Sequence, residues 1–274
     1  MAHRRHYEVS KITALIRYKN SVESLPRVLA ALKSQTLAVD RILAVDSGST
    51  DGSTALLKNS NADVITWAKT YHHSTVLNYG IEHCETPLVL CLSSHTVISD
   101  PDGVRKMSTQ MEDTNVAATS IKWDNDPFYS DQIDWTELKE KGMKLGSIYT
   151  NSLGLIRRQH WLDHRFDEDL NGIEDYEWAI YQLRSGRLIK RLNLNIDYIR
   201  QGNSREFRDT ARIFSIANRY QLPITWLGRK EACLRILKNL GGKFAGDPVA
   251  HKEFDICRRR LAGSLLWKFM DLNR

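Results

Sequence analysis

The sequence predicts an α/β protein whose opening strands run parallel, and three observations carry that prediction. Short apolar runs, Ile12 to Ile16 and Ile42 to Val45, alternate with a segment whose apolar residues recur at helical spacing. The second run ends on a carboxylate, Asp46. The small residues Ser47-Gly48-Ser49-Thr50-Asp51-Gly52 follow, which cannot continue a buried strand but can turn tightly and cap a helix. Further on, Pro87 to Leu92 is apolar throughout, as a strand covered on both faces must be. Such alternation implies right-handed crossovers between parallel strands.

Taken in order, the first strand ends in Arg17-Tyr18-Lys19-Asn20, and Ser21 is placed to cap a helix whose Val22, Leu25, Val28, Leu29 and Leu32 share one face. After the second strand and its turn come a third strand candidate, Asp63 to Trp67, a helix around Thr75 to His83, and the buried run at 87–92. Tyr176 to Arg184 offers Trp178, Ala179, Ile180 and Leu183 as the buried side of a helix. Glu206 to Tyr220 reads as another, with Phe207, Ala211, Phe214 and Ile216 or Ala217 along one side, broken by Pro223. Further helices are expected over 231–240 and 252–272, separated by the glycine-containing loop from Gly241 to Pro248.

The chain of 274 residues is long enough to bury one sizeable core. A formal net charge of +6, spread along the chain, suits an anionic ligand or a membrane surface. No basic tail or aromatic-interleaved basic stripe is present, so no nucleic-acid partner is expected. Cys84, Cys91, Cys233 and Cys257 show neither metal-type spacing nor a disulfide framework. The start, MAHRRHYEVS, lacks the apolar run of a secretory signal, and no stretch approaches the ~18 apolar residues of a membrane span. A cytoplasmic protein is expected, soluble or peripheral at the inner face of the membrane.

Arg17-Tyr18-Lys19-Asn20, Gln35-Thr36, Val45 to Gly52, Leu77-Asn78-Tyr79-Gly80, Phe166-Asp167-Glu168 and Gly172-Ile173-Glu174-Asp175 occur in this order. In these motifs, over about residues 9 to 200, the chain resembles the family-two glycosyltransferases of the GT-A fold. The resemblance implies a GT-A domain over 9–205, with a mixed central sheet and helices on both faces; the helical periodicity beyond it predicts a carboxyl-terminal extension over 206–274 packed on that domain. It also implies inverting transfer of one sugar from a nucleoside diphosphate sugar to a glycan or lipid-linked acceptor hydroxyl. Gln201-Gly202-Asn203-Ser204-Arg205 is not the Gln-x-x-Arg-Trp motif of processive relatives, which favours single addition.

Such chemistry must hold the nucleotide, offset charge on the diphosphate, and deprotonate the acceptor. For the first task the resemblance implies Asp46, with Arg17, Lys19 and Asp51 around the nucleoside; the other reading of Asp51 is a helix cap. For the second, most relatives carry Asp-x-Asp, which binds a divalent cation, where this chain reads Ser93-Ser94-His95, as a Leu-Ser-x-His subset does. The change removes the hard oxygen ligands that Mg²⁺ prefers, although His95 could still ligate Mn²⁺. Protonated by the diphosphate, His95 could instead donate hydrogen bonds to it, or it could satisfy only the loop backbone. Many relatives place a second His in the region of Asn195 to Arg208, where this chain has only Arg200, Arg205 and Arg208, which weakens the case for Mn²⁺ or Mg²⁺.

For the third task the resemblance implies Asp175 as general base, kept anionic by the start of its helix, with a structural cap pair as the other reading. Glu174 is assigned to the acceptor side, and Glu177 is expected to be solvated or salt-bridged. Of Trp123, Trp135 and Trp161, Trp123 beside Asp124-Asn125-Asp126 is the best acceptor candidate, since aromatic faces stack on sugars. His72 and His73 are left unassigned. Arg258-Arg259-Arg260 precede Leu261, Leu265, Leu266, Trp267 and Phe269, an amphipathic end that suits its own domain, a second copy in a homodimer, or an anionic membrane. The missing Asp-x-Asp also motivates a second reading, a degenerate module that binds nucleotide sugar or glycan without catalysis. A nucleotidyltransferase is disfavoured because no glycine-rich loop follows the first strand.

Overall fold

The computed structural model describes residues 11–123, 126–144, 148–170, 172–199, 206–224, 236–237, 255–259, 261–262 and 265, with backbone alone over 206–210. The helices expected over 231–240 and 252–272 lie mostly outside these residues, as do Asp124, Asn125, Arg200 and Arg205. Strands β1 (Ile12–Tyr18), β2 (Arg41–Asp46), β3 (Asp63–Thr66) and β4 (Leu88–Ser93) form the parallel part of an eight-stranded sheet in the order β3-β2-β1-β4. Helices α1 (Leu25–Lys33), α2 (Ser53–Asn59) and α3 (His73–Glu82) make the crossovers that the alternation predicts.

Beyond β4 the sheet becomes mixed. A ribbon first pairs β5 (Thr96–Ile98) with β10 (Ile196–Tyr198), antiparallel and outside the main sheet. In the main sheet β8 (Leu153–Arg157) runs antiparallel to β4 and to β6 (Val116–Ile121). Next, β9 (Leu188–Leu192) pairs in parallel with β6, and β7 (Gln132–Ile133) closes the edge against it. The remaining helices are α4 (Gly103–Gln110), α5 (Trp135–Lys141), α6 (Arg158–Asp163), α7 (Glu174–Arg184) and α8 (Glu206–Tyr220).

Alternate residues of β1 and β4 face opposite ways. Leu15, Val89 and Cys91 join the core that includes α3, α7 and α8, whereas Ala14, Ile16, Leu90 and Leu92 join that of α1, α2 and α4. This double coverage is why 87–92 carries no polar residue before Ser93, and each buried Leu or Ile there contributes roughly 1.5–3 kcal/mol. Gly80 lets α3 lie close on β1, since a Cβ there would stand 2.6 Å from a Leu15 methyl.

Helix α1 begins at Leu25, not just after Ser21. Pro26 belongs in a first helical turn, where its missing N–H would be unpaired anyway. The residues before it form a turn instead, with the Ser24 and Leu25 N–H groups donating to the Ser21 carbonyl at 3.1 and 3.0 Å. In α8 the predicted Ala211, Ile216 and Ala217 are buried together with Ile213 and Tyr220, while Phe214 is only partly buried and the Phe207 side chain lies outside the described residues.

The Leu-Asn-x-Gly and Phe-Asp-Glu motifs meet each other. Asn78 Nδ2 donates to the Phe166 carbonyl and to Glu168, each at 2.9 Å, while its Oδ1 accepts from Trp161 Nε1 at 3.0 Å and from the Phe166 N–H at 3.2 Å. Asp167 takes Arg219 of α8 at 2.7 Å. These motif residues therefore lock α3, α6 and α8 together, and Trp161 is fully buried core. Glu177 is also buried, not solvated: it meets His164 at 3.1 Å and accepts from the Tyr220 hydroxyl.

Candidate active site

The carboxyl ends of β1, β2 and β4 share one edge, with Arg17 in register with both Val45 and Ser93. On β2, Asp46 is buried, with Oδ1 accepting the Ser49 N–H at 2.9 Å and Oδ2 the Thr54 hydroxyl at 3.1 Å. Gly48 and Gly52 take φ of +89° and +90°, a left-handed backbone that favours glycine and folds the turn back under Asp46. Asp51 accepts the Ser53 N–H at 3.0 Å and the Ser53 hydroxyl at 2.6 Å on one oxygen, and the Val22 N–H at 3.0 Å on the other. These bonds, the Ser53 hydroxyl foremost, hold its carboxyl below the ordinary carboxylate range. Asp51 thus clamps the loop after β1 to the start of α2, in keeping with the helix-cap alternative. Lys19 is exposed.

Arg17 lies beneath the cleft. Its Nη2 donates to the Asn151 carbonyl at 3.2 Å, Nη1 stands 3.4 Å from His73 Nδ1, and Nε is buried with no partner. Tyr71 meets the same His73 nitrogen at 3.2 Å. Asn151 also organises the carboxylates of α7: its N–H donates to Asp175 Oδ2 at 3.1 Å and its Nδ2 to Glu174 Oε1 at 3.3 Å. The chain enters α7 through Gly172 and Ile173 at φ 98° and 62°, and the β-branched Ile173 is strained there. That entry turns Glu174 inward, 3% exposed and accepting the Gly172 N–H at 3.1 Å. Glu174 is thus a buried group held by Asn151 and the Gly172 N–H.

The protonation of this pair also departs from expectation. Asp175 accepts the Tyr176 N–H at 3.0 Å, but burial, reinforced by Glu174, outweighs the helix start and pushes its carboxyl up to about 7. Burial likewise raises Glu174, opposed by Arg17. Burial would lower the Arg17 guanidinium, but Tyr71, Glu174, Cys91 and Asp175 outweigh it and keep the group charged.

At the end of β4, Ser94 Oγ meets Ser21 Oγ at 2.9 Å, and Ser93 Oγ lies 3.0 Å from the His95 ring nitrogens. His95 Nε2 is 3.1 Å from the Tyr198 hydroxyl, and Tyr198 in turn sits edge-on to Trp123 with ring centroids 5.4 Å apart. Trp123, itself packed against the core of α1, α2 and α4, thereby reaches His95 through Tyr198, and Trp135 packs against the other core. Burial, then the Arg17 charge, lowers the His95 pKa, so the imidazole is neutral in the free protein and not a standing cation.

A divalent cation does not fit the side chains present. Among the described residues no cluster of three His, Cys, Asp or Glu could hold one. His95 is a single nitrogen ligand beside serine hydroxyls, and Asp46 is engaged by its own turn. Sequence reasoning missed Asn151, Tyr71 and Tyr198 and left His73 unassigned, because none of them sits in a recognisable motif and each reaches the cleft only through folding.

Comparison with known proteins follows this geometry. A sequence profile described as glycosyl transferase family 2 matches residues 13–169. The chain is 29% identical over 112 residues to the O-antigen chain rhamnosyltransferase RfbN of Salmonella typhimurium, covering 39% of this chain and 35% of that protein. It therefore spans about a third of the length of that curated relative. Among solved structures, a mannosyltransferase from Pyrobaculum calidifontis in complex with GDP-Man and Mn²⁺ superposes with a TM-score of 0.71 at 14% identity, covering 95% of this chain and 87% of that one. Glucosyl-3-phosphoglycerate synthase from Mycobacterium tuberculosis, in complex with Mn²⁺, UDP and phosphoglyceric acid, gives 0.57 at 13% identity, covering 79% and 80%. These structures share the GT-A fold expected from the motifs, and among the described residues no helix is long and apolar enough to cross a membrane. Through the profile match over residues 13–169, the chain belongs to glycosyl transferase family 2.

Proposed function

We propose that this family 2 glycosyltransferase moves one sugar from a nucleoside diphosphate sugar to a hydroxyl of a glycan or lipid-linked acceptor, with inversion at the anomeric carbon. The observation that carries this reading is Asp175, a carboxyl pushed up to about 7 at the edge where β1 and β4 end. A general base works best when its pKa lies near the operating pH. In a single displacement the acceptor oxygen attacks the anomeric carbon, its proton passes to the Asp175 carboxylate, and the bond to the diphosphate oxygen breaks as the nucleoside diphosphate leaves. Asn151 and the Tyr176 N–H orient Asp175 for that transfer. Asp46 is assigned to the nucleoside, and Ser93 with a neutral His95 supplies hydrogen bonds near the diphosphate. Tyr198 and Trp123 offer aromatic edges on the acceptor side. The GDP-Man and UDP complexes of the fold relatives and the O-antigen relative support this donor and acceptor class.

The test is turnover of a nucleotide-sugar panel by wild type and Asp175→Asn, with donor binding measured by calorimetry. Turnover lost with donor binding kept is the expected result. Donor binding by wild type without turnover on any acceptor supports the binding-only module instead.

A further inference from the structure

We propose that this chain binds the donor diphosphate without a divalent cation, and that the Arg17 guanidinium supplies the positive charge. The inference rests on the donor-binding reading above and deepens it. The strand end where a cation would be held offers two serine hydroxyls and one imidazole, and Ser94 is already engaged with Ser21 at 2.9 Å. One strand away, in register with Ser93, stands Arg17. Its guanidinium bonds a backbone carbonyl and approaches a ring nitrogen at 3.4 Å, and its Nε is buried without any partner.

A guanidinium left in this state has unused donors and no directly bonded carboxylate among the described residues. The nearby carboxyls, Glu174 and Asp175, are turned to Asn151 instead. The remaining N–H groups of Arg17 can give charge-assisted bonds to an arriving anion. Ser93, in register with Arg17, also meets His95 at 3.0 Å, so both groups belong to the same strand end. A planar guanidinium forks onto phosphate oxygens as a lysine cannot. It would neutralise charge on the leaving diphosphate where carboxylate ligands for a metal are missing.

The experiment is calorimetric titration of the full chain with UDP, GDP, dTDP and the matching nucleoside monophosphates, in EDTA and in MnCl₂. One diphosphate should bind equally in both, and about tenfold or more tighter than its monophosphate. Arg17→Gln should lose that margin with little change for the monophosphate, and Arg17→Lys should recover only part of it. Diphosphate binding that weakens about tenfold or more in EDTA overturns the proposal alone, as does an intact margin in Arg17→Gln. No binding of any nucleotide in either buffer overturns both this proposal and the donor reading. If Arg17→Gln melts early, the wild-type EDTA comparison and Arg17→Lys still decide.

Discussion

Two pairs of acidic residues flank the cleft, and their surroundings are opposite. On the β2 side, Asp46 and Asp51 have both carboxylate oxygens occupied by backbone N–H groups and hydroxyls of the turn into α2 and, for Asp51, by the Val22 N–H of the loop after β1. On the α7 side, reached through a strained Ile173, Glu174 is buried and its neighbour Asp175 half-buried, and both carboxyls are raised. Hydrogen-bond donors hold Asp51 ionised as part of the framework, while burial and a like charge leave Asp175 ready to exchange a proton. The difference teaches that hydrogen bonds alone do not set an acidic motif residue's role: Asp175 also has an N–H on each oxygen, yet burial beside a second carboxyl raises it while Asp51 is held low.

The contrast can be broken most directly at Asp175. Asp175→Asn should lower kcat about a thousandfold, within the range for a positioned general base, and a retained rate would remove the base role. At Asp46, substitution should act through the framework as well: Asp46→Ala leaves a backbone N–H and a hydroxyl without their acceptor, costing roughly 1–3 kcal/mol in urea unfolding. Weaker nucleotide binding should accompany it.

A finer effect lies in the pH profile. Wild-type kcat should fall on acidification with an apparent pKa near the value of about 7 to which Asp175 is raised. Because Glu174 raises Asp175, Glu174→Gln should move that limb to lower pH; an unmoved limb would uncouple the pair. The smallest effect separates the two sides by the sign of their proton linkage. The depressed Asp51 contributes stability above its unfolded pKa that is lost as pH falls through its lower folded value. The raised Asp175 does the reverse: the folded chain keeps its proton longer than the unfolded one, so its contribution falls as pH rises from the ordinary carboxylate range to about 7. Melting curves should therefore show Asp51→Asn less stable than wild type at neutral pH and converging with it in acid. The deficit of wild type relative to Asp175→Asn should grow toward neutral pH.

The framework was legible because it is written locally. Apolar runs placed β1, β2 and β4, the glycine-bearing turn placed Asp46 at a strand end, and the ordered motifs pointed to the family before any contact was known. Side-chain roles were less legible even inside those motifs. Asn78 and Asp167 turned out to lock helices, Asp51 to clamp a turn, and α1 to start at Leu25 because Pro26 needed a first turn. The residues that complete the cleft, Asn151, His73, Tyr71 and Tyr198, come from distant segments with no shared spacing.

What the sequence by itself determined is the order of the opening strands and helices through β4, together with α7 and α8, and the chemical types at those strand ends, because periodicity and turn chemistry act over a few neighbouring residues. Only the tertiary structure decided the charge state of that edge. Burial beside Glu174 raised Asp175, burial and Arg17 kept His95 neutral, and packing left the Arg17 Nε without a partner. Desolvation and charge–charge interaction depend on distances through space, which separation along the chain does not encode.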